Sequence, residues 1–152
     1  MKLTANFSLG ELTKSQTATR KGIDNAPDDK QLASLVSLCE NVLQPIRDHF
    51  GKPVRISSGL RVLELNTAIG SSPTSDHVKG KAADIEVPGV DNLDLAKWIV
   101  ANISFRQVIL EFYSPPDGGW VHVSYDSEDN KKQVLTAAKQ NGKTVYLTGL
   151  VV

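Results

Sequence analysis

A single cysteine, Cys39, occurs in 152 residues, so no intramolecular disulfide can brace the fold. Its neighbours Leu35, Leu38, Val42 and Leu43 mark it as a small buried apolar side chain. No run of about 18 apolar residues occurs, which excludes a hydrophobic spanning helix. The opening M-K-L-T-A-N-F-S-L-G-E-L has no continuous apolar core of a secretory leader, so synthesis in the cytoplasm without a signal peptide is expected. Net charge is absent as well: Lys+Arg and Asp+Glu both number 17, and nothing global draws the chain to nucleic acid or to an anionic membrane. Repeats and low-complexity tracts are also missing. A chain of this length with 40% hydrophobic and 22% charged residues is expected to be one domain, residues 1–152, around one core.

The remaining pattern predicts alternating helices and strands. Residues 1–27 are polar and read as irregular, with Phe7, Leu9, Leu12 and Ile23 as scattered anchors. Asn25-Ala26-Pro27-Asp28-Asp29 carries helix-start chemistry, and apolar residues from Leu32 to Phe50 follow at helical spacing up to Gly51. Pro45 should kink this helix or end it early. Strands are expected at 54–58 and 82–87, a short helix at 61–69, and a second helix at 92–102 capped by Asn92. Phe105 to Tyr113 and Trp120 to Tyr125 read as an antiparallel hairpin across a Pro- and Gly-rich turn. A short helix near Lys131–Lys139 and a strand from Thr144 to Val151 complete an α+β chain with a largely antiparallel sheet.

Three histidines are present. His49 lies at the end of the long helix, where a cationic side chain is electrostatically welcome, and reads as a surface residue. His122 stands in the alternating run W-V-H-V-S-Y, which puts Val121, Val123 and Tyr125 on one face and Trp120, His122 and Ser124 on the other. It either lines a cleft or is a half-buried histidine bonded to a neighbour. Asp84 interrupts the apolar run Ala82-Ala83-Asp84-Ile85, and a carboxylate inside a buried strand must be paired or metal-bound. His77 sits seven positions earlier, with Gly80 between them to let the chain turn. A hairpin centred between Pro116 and Asp117 would pair Glu111 directly with His122, their Cβ atoms about 4.5–5.5 Å apart. A slip of one residue would turn Glu111 away, and Asp117 in the turn is the alternative acid.

The string S-x-H-x-x-G-x-A-x-D at 75–84, followed by W-x-H at 120–122, resembles the signature of the zinc D-Ala-D-Ala carboxypeptidases and related peptidoglycan peptidases, the M15 group. Ser57-Ser58-Gly59-Leu60-Arg61 with Leu65-Asn66 is similar to that group's S-G-x-R segment. The stretches FSLGELTKSQTA, NAP and VLQPIR resemble a small single-domain branch found in phage lysis proteins. The resemblance spans about residues 7–125 and implies a Hedgehog/DD-peptidase-like fold.

It also implies His77, Asp84 and His122 as zinc ligands, Arg61 as the partner of a substrate carboxylate or carbonyl, and Ser75 as a supporting or substrate-binding residue. Many members carry the catalytic acid three residues before the second histidine, where this chain has Gly119, so the base is expected at Glu111 or Asp117. Trp120 would wall the cleft or pack on the sheet.

The implied activity is zinc-dependent hydrolysis of amide bonds in peptidoglycan stem peptides, as a carboxypeptidase or an endopeptidase. The implied partner is the stem peptide, met by a monomer without membrane insertion, at the cell wall after release through a phage holin. The rival expectations are a catalytically silent structural or wall-binding domain on the same fold, such as a phage particle component, and a scaffold that holds no metal.

Overall fold

The long helical segment starts within the expected stretch 25–29, but on Asp28 rather than on Asn25 as its cap. Asp28 caps α3 (Asp29–Leu38): its carboxylate accepts from the Gln31 amide, and the Gln31 side chain accepts in return from the Asp28 amide. The computed structural model describes residues 1–116 and 118–152. Pro45 neither ends the segment nor breaks it. Helix α3 widens into a π turn over Cys39–Leu43, where the Gln44 amide reaches five residues back to the Cys39 carbonyl, and continues as α4 (Gln44–Phe50). A widened turn just before the proline accommodates its missing N–H without stopping the helix. Gly51, at φ +65°, ends it.

Six strands form the main sheet in the order β3-β4-β6-β5-β7-β8: β3 (Arg55–Ser58), β4 (Ala82–Glu86), β5 (Gln107–Ser114), β6 (Gly118–Ser124), β7 (Gln133–Gln140) and β8 (Lys143–Thr148). All pairings are antiparallel except β5 with β7. One sheet face supplies Ala83, Ile85, Val108, Leu110, Val121 and Val123 to the core. The helical segment adds Leu35, Leu38, Cys39, Val42, Leu43 and Ile46, and α6 (Asn92–Asn102) adds Leu95, Ala96 and Ile99. Burial of each large aliphatic side chain contributes about 1.5–3 kcal/mol. Cys39 is fully buried, and burial, aided by Glu11 and Glu40, pushes its thiol up to about 12, so it behaves as a small apolar residue.

Three expectations are corrected. The first 27 residues are ordered: β1 (Lys2–Thr4) pairs with β2 (Phe7–Ser8), and α1 (Leu9–Thr13) and α2 (Gln16–Lys21) start on side-chain caps from Ser8 and Ser15. Short helices of this kind show too few turns for a periodic signal, although S-L-G-E is a capping box. The helix near Lys131–Lys139 is instead strand β7, joined to β8 by Asn141-Gly142, both at positive φ. That Asn-Gly pair was the readable hairpin signal. The cap of α6 is Asp91, which accepts from the Leu93 amide. Asn92 is buried instead and donates to the Gly119 carbonyl at 3.2 Å. No helix is long and apolar enough to cross a membrane among the described residues.

Candidate metal centre and catalytic cleft

On the sheet face turned away from the helices, strand alternation brings two of the expected ligands side by side. Asp84 on β4 is the direct cross-strand partner of His122 on β6. The carboxylate Oδ1 of Asp84 lies 3.0 Å from His122 Nδ1 and 3.3 Å from His77 Nε2. One ligand atom from each of the three residues lies within 4.8 Å of the others, and His77 and His122 are 2% and 8% exposed.

His77 comes from the loop before β4, and that loop is held at several points. The Ser75 hydroxyl accepts from the His77 amide at 3.2 Å, the Arg61 amide donates to the His77 carbonyl, and the Gln31 side chain donates to the Val78 carbonyl. Gly80 turns at φ +72°, and a Cβ there would stand 2.7 Å from the Gln31 carbonyl oxygen, so α3 demands glycine at that position. The ring of His77 is fixed by Nδ1, 2.7 Å from the Gly59 carbonyl oxygen. A carbonyl oxygen only accepts, so Nδ1 carries the proton and the Nε2 lone pair faces Asp84 and His122.

Two imidazoles and one carboxylate, with a backbone carbonyl orienting one imidazole from behind, match the donor set and outer support of a three-ligand zinc site with one position open. Burial alone would raise the Asp84 carboxyl, but hydrogen bonds and charge from His122 and His77 outweigh it and hold the group well below the ordinary carboxylate range. Asp84 is therefore ionised at neutral pH, as a ligand must be.

The cleft in front of this cluster has a volume of about 460 Å³ and is lined, beyond the three ligands, by Arg61, Ser75, Glu111, Trp120 and Tyr146 among others. The expected pairing of Glu111 with His122 does not occur. Ile109 faces His122, and Glu111 faces Trp120. The three residues 115–117 separate Ser114 from its partner Gly118, and a bulge then sets Phe112 and Tyr113 against Gly119, so the register departs by two. An even slip preserves the face. Glu111 stays on the cleft side, diagonal to His122. Asp117, the alternative acid, lies outside the described residues.

Gly119 stands where many members of the resembled group place their acid, and the reason is steric. It sits at φ +80°, and a Cβ would meet the Glu111 carbonyl oxygen at 2.1 Å. No carboxylate side chain fits there in this hairpin. Burial, together with the Asp84 charge, raises the Glu111 carboxyl above its ordinary value, against opposing effects of His122, the nearby Trp120 indole and Arg61. The Trp120 indole N–H is buried without a well-formed hydrogen bond, and its ring tilts against Phe112 at 5.6 Å. Burial lowers the Arg61 pKa, opposed by Asp84 and Glu111, and its Nε is likewise buried without a partner. These unpartnered donors surround the cleft where a substrate's oxygens would sit.

His49 lies apart from the cluster, exposed at the end of α4 and stacked on Trp98 at 4.3 Å. Sequence reasoning missed several contributors. Asn25 is buried and clamps the segment carrying Arg61, donating to the Thr13 and Leu60 carbonyls and accepting from the Val62 amide. Gly59 is required because a Cβ would stand 2.4 Å from the Leu12 carbonyl oxygen. Arg106 ties Asp76, beside His77, to the sheet through a 3.1 Å ion pair. Tyr146 reaches the cleft from β8 and is 58% exposed. Only the glycine in S-S-G-L-R was a readable signal; the others depend on partners distant in sequence.

The family profile described as Peptidase M15 matches residues 5–124, which include β2 to β6 and every residue of the His77, Asp84 and His122 cluster. Comparison with the curated proteins returns no match.

Proposed function

The chain belongs to the peptidase M15 family of zinc metallopeptidases, and from that premise we propose that it hydrolyses amide bonds in the stem peptides of peptidoglycan. The observation that carries this reading is the convergence of His77 Nε2, His122 Nδ1 and Asp84 Oδ1 at the floor of a cleft that also holds Glu111 and Arg61. A zinc ion held by those three residues would supply Lewis acidity to the scissile carbonyl and a nucleophilic water near neutral pH.

The remaining work falls to side chains of this chain. Glu111, on the same face as His122, accepts a proton from the attacking water and returns it to the leaving amine. In the metal-free chain burial and the Asp84 charge raise its carboxyl, and a carboxyl nearer neutrality takes and gives a proton with less bias. Arg61, cationic at any working pH, meets a carboxylate or carbonyl oxygen of the substrate with its planar fork. Trp120 contributes an apolar wall and an N–H beside Glu111 without a well-formed hydrogen bond. Glu111 in the cleft also favours hydrolysis over the reading of a silent structural domain, which requires no acid there.

The test is digestion of purified peptidoglycan by the zinc-loaded protein, with products identified by mass. New amino termini that appear with zinc and vanish with a chelator are expected. Stoichiometric zinc without any chelator-sensitive product would overturn the proposal.

A further inference from the structure

Beyond Arg61 lies a second cavity, of about 560 Å³, walled by the turn between α1 and α2, by β3, and by Leu65 and Ile69 at α5 (Leu63–Ala68). Among the described residues, Arg61 alone lines both this cavity and the metal cleft. The two spaces differ in charge. The metal cleft mixes both signs, with Asp76, Asp84 and Glu111 beside Arg61, Arg106 and two histidines, whereas the charged residues of the second cavity are Lys14, Arg55 and Arg61, with no acid among its lining. None of these three cations forms an ion pair among the described residues, and Arg61 Nε is buried without a hydrogen-bond partner. Charge of one sign lining a concave site draws an anionic ligand.

The backbone adds a second argument. Strand β3 is the end of the sheet and pairs only with β4, and Ile56, Ser57 and Ser58 line the cavity. An open strand edge takes up an extended peptide through main-chain hydrogen bonds. The volume lies within the range of about 300–1,000 Å³ typical of ligand sites, more than a single terminal carboxylate needs.

We propose that this cavity is a subsite for the carboxylate-bearing arm of an extended peptide, so that the enzyme cuts inside a peptide chain rather than trimming one terminal residue. The inference rests on the peptidase reading above. A carboxypeptidase closes its cleft around the terminal carboxylate, but here the cationic residue expected to meet that group stands at a junction with space behind it. The reaction is amide hydrolysis: the C–N bond breaks, the water oxygen bonds to the carbonyl carbon, and the leaving nitrogen takes a proton.

The probe is a stem tetrapeptide amidated at its C-terminus, so that its only carboxylates are internal. Titrated into the zinc-free full chain, where nothing is cut, it is expected to shift the amide resonances of residues 14–17 and 55–58. In Lys14→Ala/Arg55→Ala the dissociation constant should rise about tenfold, as two partly screened charge contacts are lost, with zinc stoichiometry unchanged. With zinc, the amidated peptide should be cut internally as readily as its free acid. Shifts confined to the metal cleft, or release of one terminal residue from the free acid with the amide untouched, would overturn the subsite while leaving the peptidase intact. Binding in the cavity without any zinc-dependent product would support the subsite and overturn the peptidase reading instead.

Discussion

The two halves of the cleft are built on opposite principles. On the metal side, β4 and β6 run in unbroken register, and the candidate ligands are buried or half-buried and held by defined partners: Asp84 by two imidazoles, His77 by the Gly59 carbonyl. On the side of Glu111, β5 and β6 are bulged, burial and Asp84 hold its carboxyl above the ordinary value, Arg61 Nε has no partner, and Trp120 Nε1 has no well-formed hydrogen bond. The first half is satisfied internally before anything binds beyond a metal. The second is left with unmet hydrogen-bonding capacity that a substrate can fill. A rigid ligand set beside an unsatisfied wall is the division expected of a site that keeps its metal and exchanges its substrate.

Removing a metal ligand should break the contrast most completely. His122→Ala is expected to abolish stoichiometric zinc, measured by elemental analysis after dialysis, and hydrolysis with it; retained zinc at wild-type occupancy would remove His122 from the ligand set. Glu111→Gln should act only on the other half, keeping zinc while lowering turnover by about 10²–10⁴-fold. Undiminished turnover would move the base elsewhere, with Asp117 the next residue to replace.

The raised pKa of Glu111 sharpens the same comparison through pH. A base must be deprotonated, so turnover should climb with pH as Glu111 loses its proton, at a value that a bound zinc ion would pull down from the raised one of the metal-free chain. For folding the sign is opposite: a carboxyl raised in the folded state favours folding below its unfolded pKa, and that contribution is lost as pH rises through the folded value. Zinc-free Glu111→Gln should therefore melt higher than zinc-free wild type at neutral pH, with the gap closing in acid. A lower melting point at neutral pH would contradict a desolvated carboxylate whose partners do not fully offset its burial.

Gly59→Ala probes what stands behind His77. The added Cβ meets the Leu12 carbonyl, and overpacking of this kind costs about 1–3 kcal/mol, read as a lower melting temperature. Displacing the carbonyl that orients His77 should also weaken zinc by about 10–100-fold. The smallest effect is expected at Tyr146, whose aromatic face is worth about 0.5–1.5 kcal/mol to a bound ligand, or roughly two- to tenfold in KM. Tyr146→Ala should change neither zinc content nor melting temperature.

Much of this was legible in the residue string. Alternation in W-V-H-V-S-Y puts His122 on the face opposite Val121 and Val123, and Asp84 betrays itself by interrupting an apolar strand. Local chemistry also places the start of the helical segment within residues 25–29 and the end of α4 at Gly51. The errors fall where local chemistry is weak or where pairing decides. Residues 133–140 carry no decisive periodicity and became a strand because β5 offered an edge on one side and β8 a partner on the other. Glu111 was assigned to the right face with the wrong partner, since turn length and a bulge set register while only the parity of the slip sets the face.

Residue motifs, through their resemblance to the M15 group, point to two histidines and an aspartate as a candidate ligand set, and the pattern by itself marks only Asp84 as out of place in an apolar strand. They also place the acid on a strand beside that set. Tertiary structure alone decides which oxygen and nitrogens converge, why position 119 is barred to a side chain, and what lies behind Arg61. Each of those depends on the approach of backbone segments far apart in the chain: Leu12 on Gly59, Gln31 on Gly80, Glu111 on Gly119. Such contacts are distances between elements, and no local pattern of residues encodes a distance.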